Sequence, residues 1–228
     1  MELTYLGHSA FLLAADGKTV AIDPFLTGNS TAARSADAIN PETILLTHAH
    51  NDHVGDTVSI AKRTGAKVIA TYELGTWLSQ QGVENATPAN HGGTVAFDGG
   101  TVKLVPAWHT SSYSSGENFV APGVPAGLVV RFGGKTVYFA GDTCLFGDMT
   151  LVGEEGLDVA VLPIGDHFTM GPADAVKAVR LLKAPTVVPC HYNTFPPIRQ
   201  DPDAFKRMVE EQTDATCQVP APGDSLTL

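Results

Sequence analysis

The chain is short of cysteine, of basic residues and of long apolar runs, and each shortage argues against a class of protein. Its three cysteines, Cys144, Cys190 and Cys217, cannot all pair with one another and show no C-x-x-C spacing. A disulfide framework is therefore not expected, and a reducing, cytoplasmic setting is. Lys and Arg total 14 against 24 Asp and Glu, a formal net charge of −10 with the histidines neutral, and the few cations form no cluster. Such a surface repels a polyphosphate backbone, so nucleic acid is not expected as a partner. The longest early apolar run, Ala10 to Ala15, is six residues between His8 and Asp16 with no cationic stretch before it. It reads as neither a secretory h-region nor a membrane span, and no membrane partner is expected.

What is present is core and histidine. With 43% hydrophobic residues in 228, the chain can bury a sizeable core, and Gly 23 with Pro 15 supplies many turns. No Ser/Gly-rich linker or charge block divides it, so a single domain over residues 1–228 is expected. There are eight histidines, three of them between positions 48 and 53.

Three short strands are predicted at Leu3 to Leu6, Ala10 to Ala14 and Thr19 to Ile22, the last two joined through Asp16-Gly17, a hairpin dipeptide. The apolar run Ile44 to Leu46 enters a polar His/Asp loop. Helical spacing follows through Val58, Ala61 and Lys62 to Gly65, and Lys67 to Ala70 is apolar again. A further helix is predicted around Leu74, Trp77 and Leu78, stopped by Gly82; this face could serve the core or a homo-oligomer. The order then recurs. Gly17-Lys18-Thr19-Val20 returns as Gly134-Lys135-Thr136-Val137, 117 residues later, and Asp56, Val58 and Ala61 match Asp174, Val176 and Val179 at 118, with Pro172 suited to a first helical position. Two similar halves, each a sheet covered by helices, are expected to pack face to face with their strand ends at one edge. Ser111 to Gly127, rich in Ser, Gly and Pro, is long enough for a lid or rim.

The densest chemistry is Thr47-His48-Ala49-His50-Asn51-Asp52-His53, directly after Ile44 to Leu46. Alternation along an extended segment sends His48 and His50 to one side, and a turn before the helix lets Asp52 and His53 face a second position. That spacing suits two neighbouring metal ions. Imidazole and carboxylate are ligands for zinc and other first-row divalent ions.

The motif resembles the H-x-H-x-D-H signature of the metallo-β-lactamase superfamily. The resemblance extends to His109 in Pro106-Ala107-Trp108-His109-Thr110, Asp142 in Ala140-Gly141-Asp142-Thr143 and His191 after Thr186 to Cys190, each following a predicted strand. It implies one metal on His48, His50 and His109, a second on Asp52, His53 and His191, and Asp142 bridging them. It also implies a four-layered αββα sandwich of the α+β class with internal pseudo-twofold duplication. More narrowly, Tyr5-Leu6-Gly7-His8-Ser9, Asp23-Pro24-Phe25, Asn90-His91-Gly92-Gly93, Phe168-Thr169-Met170-Gly171-Pro172 and His191-Tyr192-Asn193-Thr194-Phe195-Pro196 are similar to the small metal-dependent hydrolases that include the ascorbate-phosphate lactonases.

The function this implies is hydrolysis of a phosphodiester, lactone or related ester of a small molecule by a metal-bridging hydroxide. The two divalent ions are zinc first, with manganese, iron or nickel as alternatives. A small substrate is the expected partner, and an anionic one is compatible with a cationic metal pocket. Asp52 is the candidate base and His167 a candidate for substrate binding or leaving-group protonation. His8 is a candidate pocket residue, and Asp23 a candidate acceptor of an N–H from a ligating histidine. His91 reads as structural, and Cys144 and Cys190 as small buried residues. Two competing readings are a metal-stabilised binding module and a mononuclear iron oxidation enzyme. The first has too few ligands to use seven, and the second leaves Asp52, His53 and His191 without purpose.

Overall fold

Short apolar runs separated by glycine-bearing turns favour strands, and a computed structural model of residues 1–228 arranges them in two facing sheets. β1 (Glu2–Gly7), β2 (Ala10–Ala15) and β3 (Lys18–Ile22) form an antiparallel meander. The β2–β3 turn places both Asp16 (φ 50) and Gly17 (φ 74) in the left-handed region that a two-residue hairpin needs. β4 (Thr43–Leu45), β5 (Lys67–Thr71) and β6 (Ala86–Ala89) then add in parallel. α1 (Asn51–Val54) and α2 (Thr57–Thr64) bridge β4 to β5, and α3 (Tyr72–Gln80) bridges β5 to β6.

The second half repeats the plan. β7 (Thr94–Phe97), β8 (Gly100–Pro106), β11 (Ala126–Phe132) and β12 (Lys135–Phe139) are antiparallel neighbours, with a small hairpin of β9 (Tyr113–Ser115) and β10 (Asn118–Val120) between β8 and β11. Then come α4 (Met149–Gly153), β13 (Val159–Pro163), α5 (Pro172–Leu182), β14 (Thr186–Cys190), α6 (Pro202–Gln212), β15 (Thr216–Cys217) and β16 (Ser225–Thr227). The sheet orders are β16-β1-β2-β3-β4-β5-β6 and β7-β8-β11-β12-β13-β14-β15. Both run through three antiparallel pairings and then three parallel ones. The expected duplication is thus visible in topology. β16, from the far end of the chain, stands beside β1 where β7 stands beside β8.

Strand alternation sorts the core into layers. Leu45, Val137 and Phe139 face the opposite sheet and pack with Leu3, Phe11 and Val161. Their neighbours Ile44 and Leu46 turn out to meet Ile60 and Leu74 beneath the first-half helices. Tyr138 does the same under the second, with Val176 and Phe205. The result is the four-layered αββα sandwich. No helix is long and apolar enough to cross a membrane. The expected Ser111–Gly127 loop is corrected in two respects: the β9–β10 hairpin structures its middle, and Ala126 and Gly127 already belong to β11.

The Tyr138 hydroxyl is buried with no hydrogen-bond partner, and burial raises its pKa. A desolvated, unpaired hydroxyl costs stability. Tyr138→Phe is therefore expected to stabilise the fold by about 1 kcal/mol, read as a higher urea midpoint at constant m.

Candidate metal centre

The site lies where the strands end. β1, β3, β13 and β14 are each followed closely by a non-glycine residue with positive φ: His8 (58), Asp23 (41), Asp166 (64) and His191 (54). L-residues adopt this conformation reluctantly, so the chain leaves each strand through a strained kink of the kind that aims functional side chains. Gly141, after β12, also has positive φ (61), and a Cβ there would press to 2.8 Å from Thr47 Cβ. Glycine is needed to bring the Asp142 loop against the His48 loop.

These kinks bring all seven sequence-predicted ligands to one place. One group, His48, His50, His109 and Asp142, has its ligand-capable atoms within 4.8 Å of one another, and a second, His8, Asp52, His53 and His191, has the same property. Asp142 touches both. Its Oδ1 is 3.3 Å from His53 Nε2, and its Oδ2 lies 3.1 Å from His191 Nε2, 3.6 Å from His109 Nε2 and 3.9 Å from His48 Nε2. His48 Nε2 and His50 Nδ1 are 2.9 Å apart.

Asp23 organises the back of the site. It is buried; its Oδ1 accepts from Thr47 N at 2.9 Å, and its Oδ2 accepts from Thr47 Oγ1 at 2.6 Å and His53 Nδ1 at 2.7 Å. Having donated to Asp23, the Thr47 hydroxyl is left to accept from His48 Nδ1 at 2.9 Å. One carboxylate thus orients the rings of two histidines, with both Nε2 atoms turned to the cluster. Asp23 is where the sequence reading put it. Thr47 carries half of the arrangement and was missed, although it opens the His-rich motif. His8 is buried with both nitrogens engaged, Nε2 at 3.1 Å from Asp52 Oδ2 and Nδ1 at 2.9 Å from Thr194 Oγ1, and its ring lies against that of His191. It supports Asp52 from behind and does not line the cavity.

Electrostatics prepare the donors. Burial pushes the imidazoles of His48, His50 and His109 below the ordinary histidine range, leaving them neutral at pH 7, and pushes His8 down to about 4. Burial also opposes charge on Asp142 and Asp52. It is outweighed by His191 and His53 around Asp142, and by the hydrogen bond from His8 at Asp52, so both carboxyls fall below their usual range. His53 runs the other way, because Asp142 and Asp23 outweigh its burial and raise it. Two buried atoms at the centre, His53 Nε2 and Asp142 Oδ1, have no hydrogen-bond partner. The neutral imidazoles of His48, His50 and His109, the ionised carboxylates of Asp52 and Asp142, and a His53 Nε2 whose proton a cation would displace converge as a donor set suited to divalent cations.

In front of this set is an open cavity of about 350 Å³, lined by His50, Asp52, His109, Thr110, Asp142, Phe168 and His191. Thr110 Oγ1 is 3.3 Å from His50 Nε2. His167 does not line the cavity: the turn after Asp166 leaves it exposed, packed edge-on against Phe168, which takes the lining position instead. The turn falls at the strand end where a pocket residue is expected, but its rotation, set by the left-handed φ of Asp166, presents the phenyl ring rather than the imidazole. His91 Nε2 meets the Pro125 carbonyl at 2.9 Å, a structural contact. Cys190 is buried with its thiol pKa raised by burial, but Cys144, expected to be buried, is exposed on the irregular segment between β12 and α4, where no strand alternation turns it inward. The Asn51 carboxamide pairs with both main-chain groups of Ser114, at 2.7 and 2.9 Å, tying the β9–β10 hairpin to the His-rich loop.

An αββα sandwich with a His/Asp cluster at the strand ends defines a hydrolase of the metallo-β-lactamase type, and residues 18–192 match the family model described as the beta-lactamase superfamily domain. A UPF0173 metal-dependent hydrolase of Thermus thermophilus is 54% identical over 93% of this chain and 92% of its own. Another, of Anoxybacillus flavithermus, is 55% identical over 92% of this chain and 94% of its own. The solved structure of Igni18, a metallo hydrolase from the archaeon Ignicoccus hospitalis, superposes with a TM-score of 0.89 at 41% identity, covering 99% of this chain and 97% of that one. The chain belongs to the UPF0173 metal-dependent hydrolases of the β-lactamase superfamily.

Proposed function

We propose that this hydrolase works with two divalent ions and cleaves a phosphodiester, lactone or related ester of a small molecule. The observation that carries the reading is the pair of adjacent four-residue groups with Asp142 in contact with both. His48, His50 and His109 would hold one ion, and Asp52, His53 and His191 the other, with Asp142 shared; zinc, manganese, iron and nickel all suit such ligands. When bound, such ions acidify water to a pKa of about 7 and polarise the scissile group.

The residues of the chain do the rest. Asp52 has its Oδ2 held by His8 while its side chain remains 28% exposed to the cavity, so it can accept the proton that leaves water as oxygen adds to carbon or phosphorus. The bond to the leaving oxygen breaks as that oxygen takes up a proton, returned from Asp52 or drawn from solvent through the open mouth. Asp23 and Thr47 hold the imidazoles of His53 and His48 still throughout, so little reorganisation accompanies the charge movement. Cys190 takes no part as nucleophile, since its thiol is buried and its pKa is raised.

Protein purified without chelator is expected to carry two equivalents of divalent metal per chain by elemental analysis. Activity against a panel of aryl phosphodiester, sugar lactone and thioester should vanish with chelation and return on metal addition. One tightly held ion with full activity would overturn the two-ion reading.

A further inference from the structure

Phe168 is the one apolar side chain in the cavity lining, and it is 53% exposed. An exposed phenyl ring contributes nothing to the core, yet its turn is firmly built. Asp166 N donates to Met170 O at 3.0 Å, Thr169 N to Asp166 O at 2.6 Å, and Met170 N to Thr143 O at 3.0 Å, beside the ligand position Asp142. Asp166 accepts a left-handed φ of 64 to make this turn, and the imidazole of His167 stands at 89° against the phenyl ring with centroids 4.4 Å apart. Such strain, with a hydrogen-bonded turn carrying the exposed ring and His167 set edge-on against it, marks a preorganised contact surface.

Its place in the fold agrees. The turn joins β13 to α5, as the His48-to-His53 loop joins β4 to α1 and α2, so the two loops occupy equivalent positions in the duplicated halves. One copy supplies ligand side chains and the other supplies a wall. Outside the ligand set, the cavity offers a substrate only that ring and the Thr110 hydroxyl; no Lys or Arg lines it. A second anionic substituent would find no guanidinium or ammonium, and would meet an aromatic face that carries negative potential.

We propose that Phe168 is a specificity-determining residue, and that the substrate is a small ester or lactone carrying a flat apolar group against it and no charged group beyond the reacting one. This rests on the hydrolase reading above and narrows it. At about 350 Å³ the cavity accommodates a molecule at the small end of the ligand range, which is roughly 300–1,000 Å³.

The test uses the metal-loaded full chain and substrates matched at the reacting bond: an unsubstituted γ-lactone against its phenyl-substituted analogue, and a 4-nitrophenyl ester against one bearing a terminal phosphate. The wild type is expected to favour the phenyl lactone and the uncharged ester by about tenfold in kcat/KM. Phe168→Ala should erase the phenyl preference through KM, with kcat for the unsubstituted lactone within about twofold and metal content unchanged, while Phe168→Tyr should retain it. Equal or better turnover of the phosphorylated ester, or a Phe168→Ala loss as large on the unsubstituted lactone as on the phenyl one, would overturn the inference and leave the hydrolase reading standing. Failure of the loaded wild type on every ester, lactone and diester would instead remove the reading on which it rests.

Discussion

Asp142→Ala is expected to reduce turnover by roughly a thousandfold or more and to leave the purified protein depleted of metal, because it removes several kcal/mol of charge stabilisation at the point both ligand groups share. The reason is geometric as well as electrostatic. Asp142 faces four imidazoles, two of them at 3.1 and 3.3 Å, and no other carboxylate pairs with the Nε2 atoms of both groups. Asp142→Asn separates the contributions, since it keeps the volume and one oxygen but loses the charge. It should retain more metal than the alanine variant while remaining severely impaired. Both variants keep the surrounding strands, so far-ultraviolet circular dichroism should match the wild type. Wild-type metal content and turnover in Asp142→Ala would show that the residue is not a ligand.

The second large effect is expected at a residue that lies behind the cavity. Asp23→Ala removes the acceptor for Thr47 N, Thr47 Oγ1 and His53 Nδ1 at once, and frees the Thr47 hydroxyl from the orientation in which it accepts from His48. Two ligand imidazoles lose their fixed orientations together. Removing such an orienting partner costs about 10–100-fold in metal affinity, and here both histidines should place it at the upper end. Chelator competition measures this directly. Thr47→Val is the control: it cuts only the His48 branch, leaves Asp23 on His53, and should lose less. If the two variants weaken metal binding equally, Asp23 acts through Thr47 alone and its contact with His53 carries no weight.

The proposed ligand set stands out in the sequence because metal chemistry concentrates rare residue types. His48, His50, Asp52 and His53 declare themselves within one loop, and His109, Asp142 and His191 follow because each terminates an apolar run. The helix stops were legible too: α2 ends before Gly65 and α3 just before Gly82, both with left-handed φ. Other features depend on contacts that no local pattern encodes. β16 joins β1 from the opposite end of the chain, and its three residues carry little strand signal of their own. The exposure of Cys144 and the choice of Phe168 over His167 at the cavity depend on how a loop rotates as it leaves its strand. That rotation is set by single φ values such as that of Asp166. The role of Thr47 depends on a carboxylate 24 residues earlier in the chain reaching the same point.

The two halves of the sandwich contribute the proposed ligands from opposite layers: His48, His50, Asp52 and His53 leave the first sheet, and His109, Asp142 and His191 leave the second. An ion seated among them is a rivet through both sheets, fastening distant stretches of chain at a point where the strand ends would otherwise fray. A rivet of this kind strengthens with metal supply, adding about 4 kcal/mol when free metal is a thousandfold above its dissociation constant. Separating the halves then means releasing the metal first. In the two-ion enzyme proposed above, the chemistry that cleaves substrate and the mechanical closure of a duplicated fold would be vested in the same seven side chains, so that selection on either would preserve the other.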